Sequence, residues 1–282
     1  MTIDFHDTAT QRRARIALMG EFSAGKSTLA NLLLGRESSP VQVTATQLPP
    51  VWYKLGDDSA QRITATGEKE PLPLDDWSGA DPGNTQLINV RLQADFLHAC
   101  DLIDMPGTSD PCMVPDFWTH MLPLVDLVIW CTPASQAWRQ SEAALWDQVP
   151  EELWTKSLLL ITRIDKMQSE RDRTRVIQRV RGEAGGQFGA VLPIALPAAI
   201  AGREDEAELE TSGAAALVRF LETTLETLDL PPRPDFAPGM ALSREPSAPT
   251  PLRAEMPRSS AGQGKVIPRR IIRRAGGAVV AG

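Results

Sequence analysis

The chain predicts an α/β fold, a mostly parallel sheet covered by helices on both faces and followed by a disordered tail. Three observations predict it. Short apolar runs alternate with amphipathic stretches, the pattern of parallel strands joined by crossover helices. The runs are continuously apolar, as strands covered on two faces require. The composition also changes abruptly near residue 231. Residues 231–282 hold nine prolines, nine Lys or Arg and three Asp or Glu, so they carry +6 against −13 for the rest of the 282 residues. Too few large apolar side chains remain there to offset the entropy of ordering. The expected organisation is a flexible N-terminus over 1–12, one folded domain over 13–230 and a Pro-rich basic tail over 231–282.

Taken in order, "RIALMG" (15–20) is the first strand, and residues 26–34 form a helix that stops at Gly35, a favoured place for glycine after a helix. "QRITATG" (61–67) and "LINVRLQ" (87–93) are fainter strand patterns that would extend the sheet at one edge. "DLIDMPG" (101–107), "VDLVIWC" (125–131), "SLLLIT" (157–162) and "VLPIAL" (191–196) are further strands. Residues 140–148, 169–183 and 213–228 read as the helices between and after them. Cys100, Cys112 and Cys131 show no paired metal spacing and read as buried thiols. His6, His98 and His120 are equally scattered, which argues against zinc. The opening residues lack a signal-peptide pattern, and no apolar run reaches the length of about 18 residues that spans a bilayer. A cytoplasmic location is therefore expected.

The chemistry concentrates in "GEFSAGKSTLANLLLG" (20–35). Gly20, Gly25, Lys26 and Ser27 satisfy the G-x-x-x-x-G-K-S spacing between a strand and a helix, which places the fold among P-loop NTPases. Loop amides, including those of Ser23 and Ala24, surround phosphates, and the helix N-terminus at Thr28 adds positive partial charge. Lys26 reaches the terminal phosphates and the Ser27 hydroxyl coordinates Mg2+. Further on, "DMPG" offers Asp104 to magnesium and the Gly107 amide to the terminal phosphate. "TRID" (162–165) supplies Thr162, Arg163 and Asp165. A carboxylate there accepts two hydrogen bonds from guanine and is left unpaired by adenine, so GTP is favoured over ATP. Arg163 covers the base face with its stem and planar head. Asp165 has a second reading, as a cap for the helix that follows. Between the first two motifs, Thr46 is preferred to Thr44 as the first-switch threonine that binds magnesium and the terminal phosphate. The base loop after the last strand is expected near Ile194 and Ala195.

Together these residues resemble the GTPase domain of the dynamin superfamily, particularly bacterial dynamin-like proteins. The likeness covers roughly residues 14–200. It implies hydrolysis of GTP to GDP and phosphate with magnesium, dimerisation across the nucleotide face, and work on membranes. Two departures stand out. Phe22 and Thr108 occupy positions where eukaryotic dynamins and Ras-like enzymes respectively carry a catalytic glutamine, so slow intrinsic turnover is expected. The long helical stalks of dynamins have no counterpart in the sequence. A homodimer, or assembly with a stalk-bearing dynamin-like partner, is therefore expected. Two alternatives remain open: a slow GTP-dependent switch that recruits such a partner, and a P-loop ATPase.

"KVIPRRIIRR" (265–274) gathers five basic residues around Val266, Ile271 and Ile272, a composition suited to an anionic surface such as the inner membrane. A soluble basic tail, or a short segment that folds on a protein partner, is the plainer reading. Nucleic-acid binding does not fit an acidic body whose tail has Phe236 as its single aromatic residue. Trp138 and Trp146 flank the helix at 140–148 and admit two roles, core packing or interface anchors.

Overall fold

A computed structural model describes residues 12–37, 48–108 and 117–236. Among these residues nine strands form a single sheet: β1 (Ala14–Gly20), β2 (Val51–Leu55), β3 (Ser59–Thr64), β4 (Lys69–Leu72), β5 (Thr85–Leu92), β6 (Cys100–Asp104), β7 (Leu127–Pro133), β8 (Leu158–Thr162) and β9 (Ala190–Pro193). Their order is β4-β3-β5-β2-β6-β1-β7-β8-β9. The run from β6 to β9 is parallel throughout, whereas β2 meets β6 antiparallel and β3 meets both β4 and β5 antiparallel. The parallel half brings the C-terminal ends of β6, β1, β7 and β8 to one edge, where α/β sheets bind ligands.

All seven residues of β1 and of β7 are buried. Ile16, Leu18, Ile129 and Leu160 face one core, and Ala17, Met19, Trp130 and Ile161 face the other. This period-two division is what the continuous apolar runs encode. The first core is closed by α1 (Lys26–Leu34), α2 (Phe96–Ala99) and, toward the C-terminus, α7 (Leu196–Ala201) and α9 (Ala214–Thr227), with α8 (Glu206–Ser212) leading into α9. The second is closed by α3 (Phe117–Met121), α4 (Gln140–Trp146), α5 (Glu151–Trp154) and α6 (Glu170–Ala184). Helix α1 ends as expected, at Gly35 in the left-handed region.

Several elements differ from the sequence reading. The strand expected over 191–196 ends at Pro193, because Leu196 starts α7 and Pro197 fits that helix's first turn, where an amide donor is dispensable. Strands β2 and β4 were not expected. The first follows two prolines, and the second, "KEPL", is an edge strand whose lysine and proline discourage further pairing. Trp138 and Trp146 belong to the core: with Trp130 and Phe188 they form a cluster of edge-to-face rings and one stacked pair at 4.0 Å. Cys100 and Cys131 are buried free thiols, and burial pushes Cys131 up to about 12.

Residues beside the expected domain ends at 12 and 230 make ion pairs with the start of β7 and with β1. Asp126, immediately before β7 and only 2% exposed, accepts hydrogen bonds from Arg12 at 2.6 and 2.7 Å, from Arg233 at 2.7 Å and from the Arg15 amide at 2.9 Å. Arg15 in turn donates to the Pro234 carbonyl and to Asp235. Residues 231–236 therefore lie against the domain. Ion pairing, which composition does not register, and Phe236, which packs against the second core, together hold this segment.

Candidate functional site

The phosphate loop begins where β1 leaves the sheet. Gly20 has φ 135°, and a Cβ there would stand 2.2 Å from the Cys131 carbonyl oxygen of β7, so the chain passes only as glycine. The next residues turn through Ser23, at φ 57°, into Lys26 and α1. Lys26, 7% exposed, donates to the carbonyls of Gly20 at 3.1 Å and Glu21 at 2.9 Å, which draws the ammonium across the mouth of the loop. The N-terminal amides of α1 open onto the same space, and no acidic side chain occupies its first turn.

Ser27 faces the end of β6. Its hydroxyl donates to Asp104 Oδ2 at 3.2 Å, while Oδ1 of Asp104 is buried with no hydrogen-bond partner among the described residues. Burial pushes the Asp104 carboxyl up to about 6, against the pull of Lys26 and the Ser27 hydrogen bond. A buried carboxylate with a vacant lone-pair oxygen beside a hydroxyl is a donor set for a hard divalent cation. Gly107 closes the arc: a Cβ there would come within 2.8 Å of the Phe22 backbone, so the loop after β6 approaches the phosphate loop as only glycine can. Ser23, Ala24, Gly25, Ser27, Thr28 and Asp104 line one cleft, as do Lys26, Gly107 and Arg163.

The end of β8 forms the other side. Thr162 is fully buried and its hydroxyl donates to the Ala24 carbonyl at 2.7 Å, tying this strand end to the phosphate loop. Arg163 is exposed and left-handed at φ 55°, and it lines the cleft. Asp165 sits in the short 3-10 turn Ile164–Lys166, with Oδ2 3.3 Å from Lys166 Nζ and Oδ1 buried without a partner among the described residues. It is not the cap of the following helix. That role belongs to Ser169, whose hydroxyl accepts the Asp172 amide at 3.1 Å. Ile194 and Ala195 are buried and take no part in lining the cleft. Thr44 and Thr46 lie outside the described residues.

Sequence reasoning missed two parts of the site. Leu48, Pro49, Val51 and Tyr53 line the cleft opposite the loop, brought there by β2, which has no distinctive pattern. The other part is Glu21. Its carboxylate accepts from Ser141 at 3.2 Å and pairs with Arg139 at 3.4 Å, joining the phosphate loop to the start of α4. No spacing rule connects residues so far apart in the chain.

No protein-family model matches the chain. It is 31% identical over 105 residues to the isoniazid-induced protein IniC of Mycobacterium tuberculosis, covering 34% of this chain and 21% of IniC. It is 24% identical to dynamin-like protein 2 of Campylobacter jejuni, covering 77% of this chain and 36% of that protein. Two solved structures of an oligomerised bacterial dynamin pair, described as a mechanism for long-range sensing and tethering of membranes, superpose with TM-scores of 0.62 and 0.64. Identity is 17% and 18%, over 77% of this chain and 45% and 38% of those chains. The chain thus spans between about a fifth and under half of the length of each of these relatives.

Proposed function

Because the chain carries the fold of a dynamin-superfamily GTPase domain, we propose that it binds GTP with magnesium and hydrolyses it to GDP and phosphate. The observation that carries this reading is Asp104. One of its carboxylate oxygens is buried beside Ser27 with no hydrogen-bond partner among the described residues, in the cleft that the phosphate loop and Lys26 also line. Ser27 and Asp104 would hold Mg2+, which when bound offsets charge on the phosphates. The chain's own groups do the rest. Loop amides and Lys26 bind and orient the β- and γ-phosphates, the Gly107 amide faces the terminal phosphate, and Thr46 contributes from the first switch. Asp165 reads guanine, its buried Oδ1 awaiting a donor, while Arg163 covers the base face. Catalysis is positional and electrostatic, with no covalent intermediate.

Phe22 and Thr108 offer no side-chain amide to orient the attacking water, so the expected turnover of isolated protein is slow. This favours a second reading, a GTP-loaded switch that recruits a stalk-bearing partner. GTP turnover per molecule across a range of protein concentrations, with ATP as control, decides between them. A rate that climbs with concentration supports hydrolysis activated by dimerisation across the nucleotide face. A flat, near-zero rate with intact GTP binding supports the switch, and equal use of ATP overturns the guanine assignment. Lys26→Ala is expected to abolish tight GTP binding, and retained affinity would refute the phosphate site. Asp165→Asn is expected to shift preference from guanine toward xanthine. The reading extends to an anionic membrane contacted by residues 265–274, for which flotation with anionic vesicles is the measurement. Among the described residues no helix is long and apolar enough to cross a membrane.

A further inference from the structure

Three non-glycine residues among those described have positive φ: Ser23, Arg163 and Trp138. Left-handed backbone in a bulky residue persists only where its surroundings impose it, and such residues gather at functional sites. Ser23 and Arg163 line the nucleotide cleft. Trp138 does not, yet the turn it belongs to reaches the phosphate loop from the other side.

The turn between β7 and α4 is fixed from below by one buried carboxylate. Glu142, fully buried, accepts from Trp130 Nε1, from the Thr132 hydroxyl and from the Arg139 amide, each at 3.0 Å. The Thr132 hydroxyl in turn accepts the Trp138 amide at 3.0 Å. Two consecutive amides of the strained turn are thus anchored to one Thr132–Glu142 unit inside the core. Burial holds the Glu142 carboxyl above the usual carboxylate range, against the three donors that favour its charge. The anchored turn delivers Arg139 and Ser141 to the Glu21 carboxylate, which is 15% exposed, and the Glu21 carbonyl is itself a partner of Lys26.

We propose that Arg139, Ser141 and Glu142 form a brace that positions the phosphate loop through Glu21. Arg139 and Ser141 hold the start of the loop at Glu21, as Thr162 holds its later part at Ala24 from the core side. The brace supplies fixed geometry to a loop whose side chains include no water-orienting glutamine, and its effect on turnover rests on the GTPase reading given above. Arg139 and Ser141 are positioning residues; they do not line the cleft.

Arg139 is half-exposed, and an exposed ion pair contributes little to global stability. Arg139→Ala is therefore expected to keep the wild-type melting temperature. It should lower kcat about tenfold with KM for GTP altered less than about threefold, because misplacement acts on the reacting geometry. Arg139→Lys restores most of the loss. Equal kcat in wild type and Arg139→Ala, or no rescue by lysine, would overturn the brace. Amide hydrogen exchange over residues 20–25 of nucleotide-free protein tests the same idea without turnover. Faster exchange in Arg139→Ala supports the brace, and unchanged exchange refutes it. Failure of the wild-type protein to bind GTP would sink the GTPase reading and leave the exchange result standing by itself.

Discussion

Two buried aspartates stand at opposite ends of neighbouring regions of the sheet, and their surroundings are inverted. Asp126, before β7, has both oxygens occupied by Arg12 and Arg233 and a further bond from the Arg15 amide. Burial works against its charge, but these partners outweigh burial and hold its carboxyl below the ordinary range. Asp104, at the end of β6, has one hydroxyl partner and one oxygen without a partner among the described residues, and burial pushes it up to about 6. The same side chain thus serves stability where its partners are built in, and is left for the proposed metal where they are withheld. The difference lies in what each neighbourhood supplies.

The sharpest way to break the comparison is to remove Asp126. Asp126→Ala leaves Arg12, Arg233 and the Arg15 amide without their shared acceptor, and breaking a buried pair costs about 3 kcal/mol. A fall in melting temperature of roughly 6–12 °C is expected for a domain of this size. GTP affinity at a temperature where the variant is folded should be unchanged. A loss of affinity would mean that the two ends of the sheet are coupled.

Asp104→Asn should do the reverse. Magnesium-dependent GTP affinity is expected to fall roughly 100-fold, the upper end of the loss seen when an outer-shell partner of a bound ion is removed. Nucleotide-free protein, however, should be about 1 kcal/mol more stable at pH 7, because a buried charge lacking its partner is gone. The pH dependence follows with its sign. A carboxyl whose folded value is raised from 3.8 to about 6 imposes no penalty below its unfolded value. The penalty grows as pH rises from about 4 to 6 and is complete above that. The stability difference between wild type and Asp104→Asn should therefore vanish near pH 4. Asp126, whose folded value is lowered, contributes stability above the unfolded value that is lost as pH falls through the folded one. Melting curves of both variants from about pH 2 to 8 in magnesium-free buffer check the two slopes, the Asp104 one between about pH 4 and 6 and the Asp126 one below about pH 4, and parallel slopes would refute the contrast.

How far the sequence reveals each end follows from the same physics. The phosphate end is local. Gly20, Gly25, Lys26 and Ser27 lie within one strand–loop–helix unit, and helix α1 begins and ends at the residues expected of it. Asp104 and Thr162 were legible because they close apolar strands that point at that unit. The Asp126 clamp was not, since it joins residues more than 100 positions apart through ion pairs that no periodicity encodes. Glu21, Arg139 and Ser141 escape for the same reason. Strand β2 was missed because it follows the Pro49–Pro50 pair and its sequence, "VWYKL", gives too short a run for alternation to register.

The smallest expected effect tests whether burial or pairing makes the clamp. Arg15 pairs with Asp235 at 2.7 Å, a distance equal to the Arg233–Asp126 contact, but Asp235 is 87% exposed. Water already satisfies that carboxylate, and the partner gained on folding replaces hydration of similar strength. Asp235→Ala should therefore cost less than about 1 kcal/mol, against about 3 kcal/mol for Asp126→Ala. A comparable loss from both would mean that residues 231–236 attach as one cooperative unit. The double variant separates the cases. Losses that add would place the energy in Asp126 itself, whereas a double variant no worse than Asp126→Ala would place it in the docked segment that both aspartates hold.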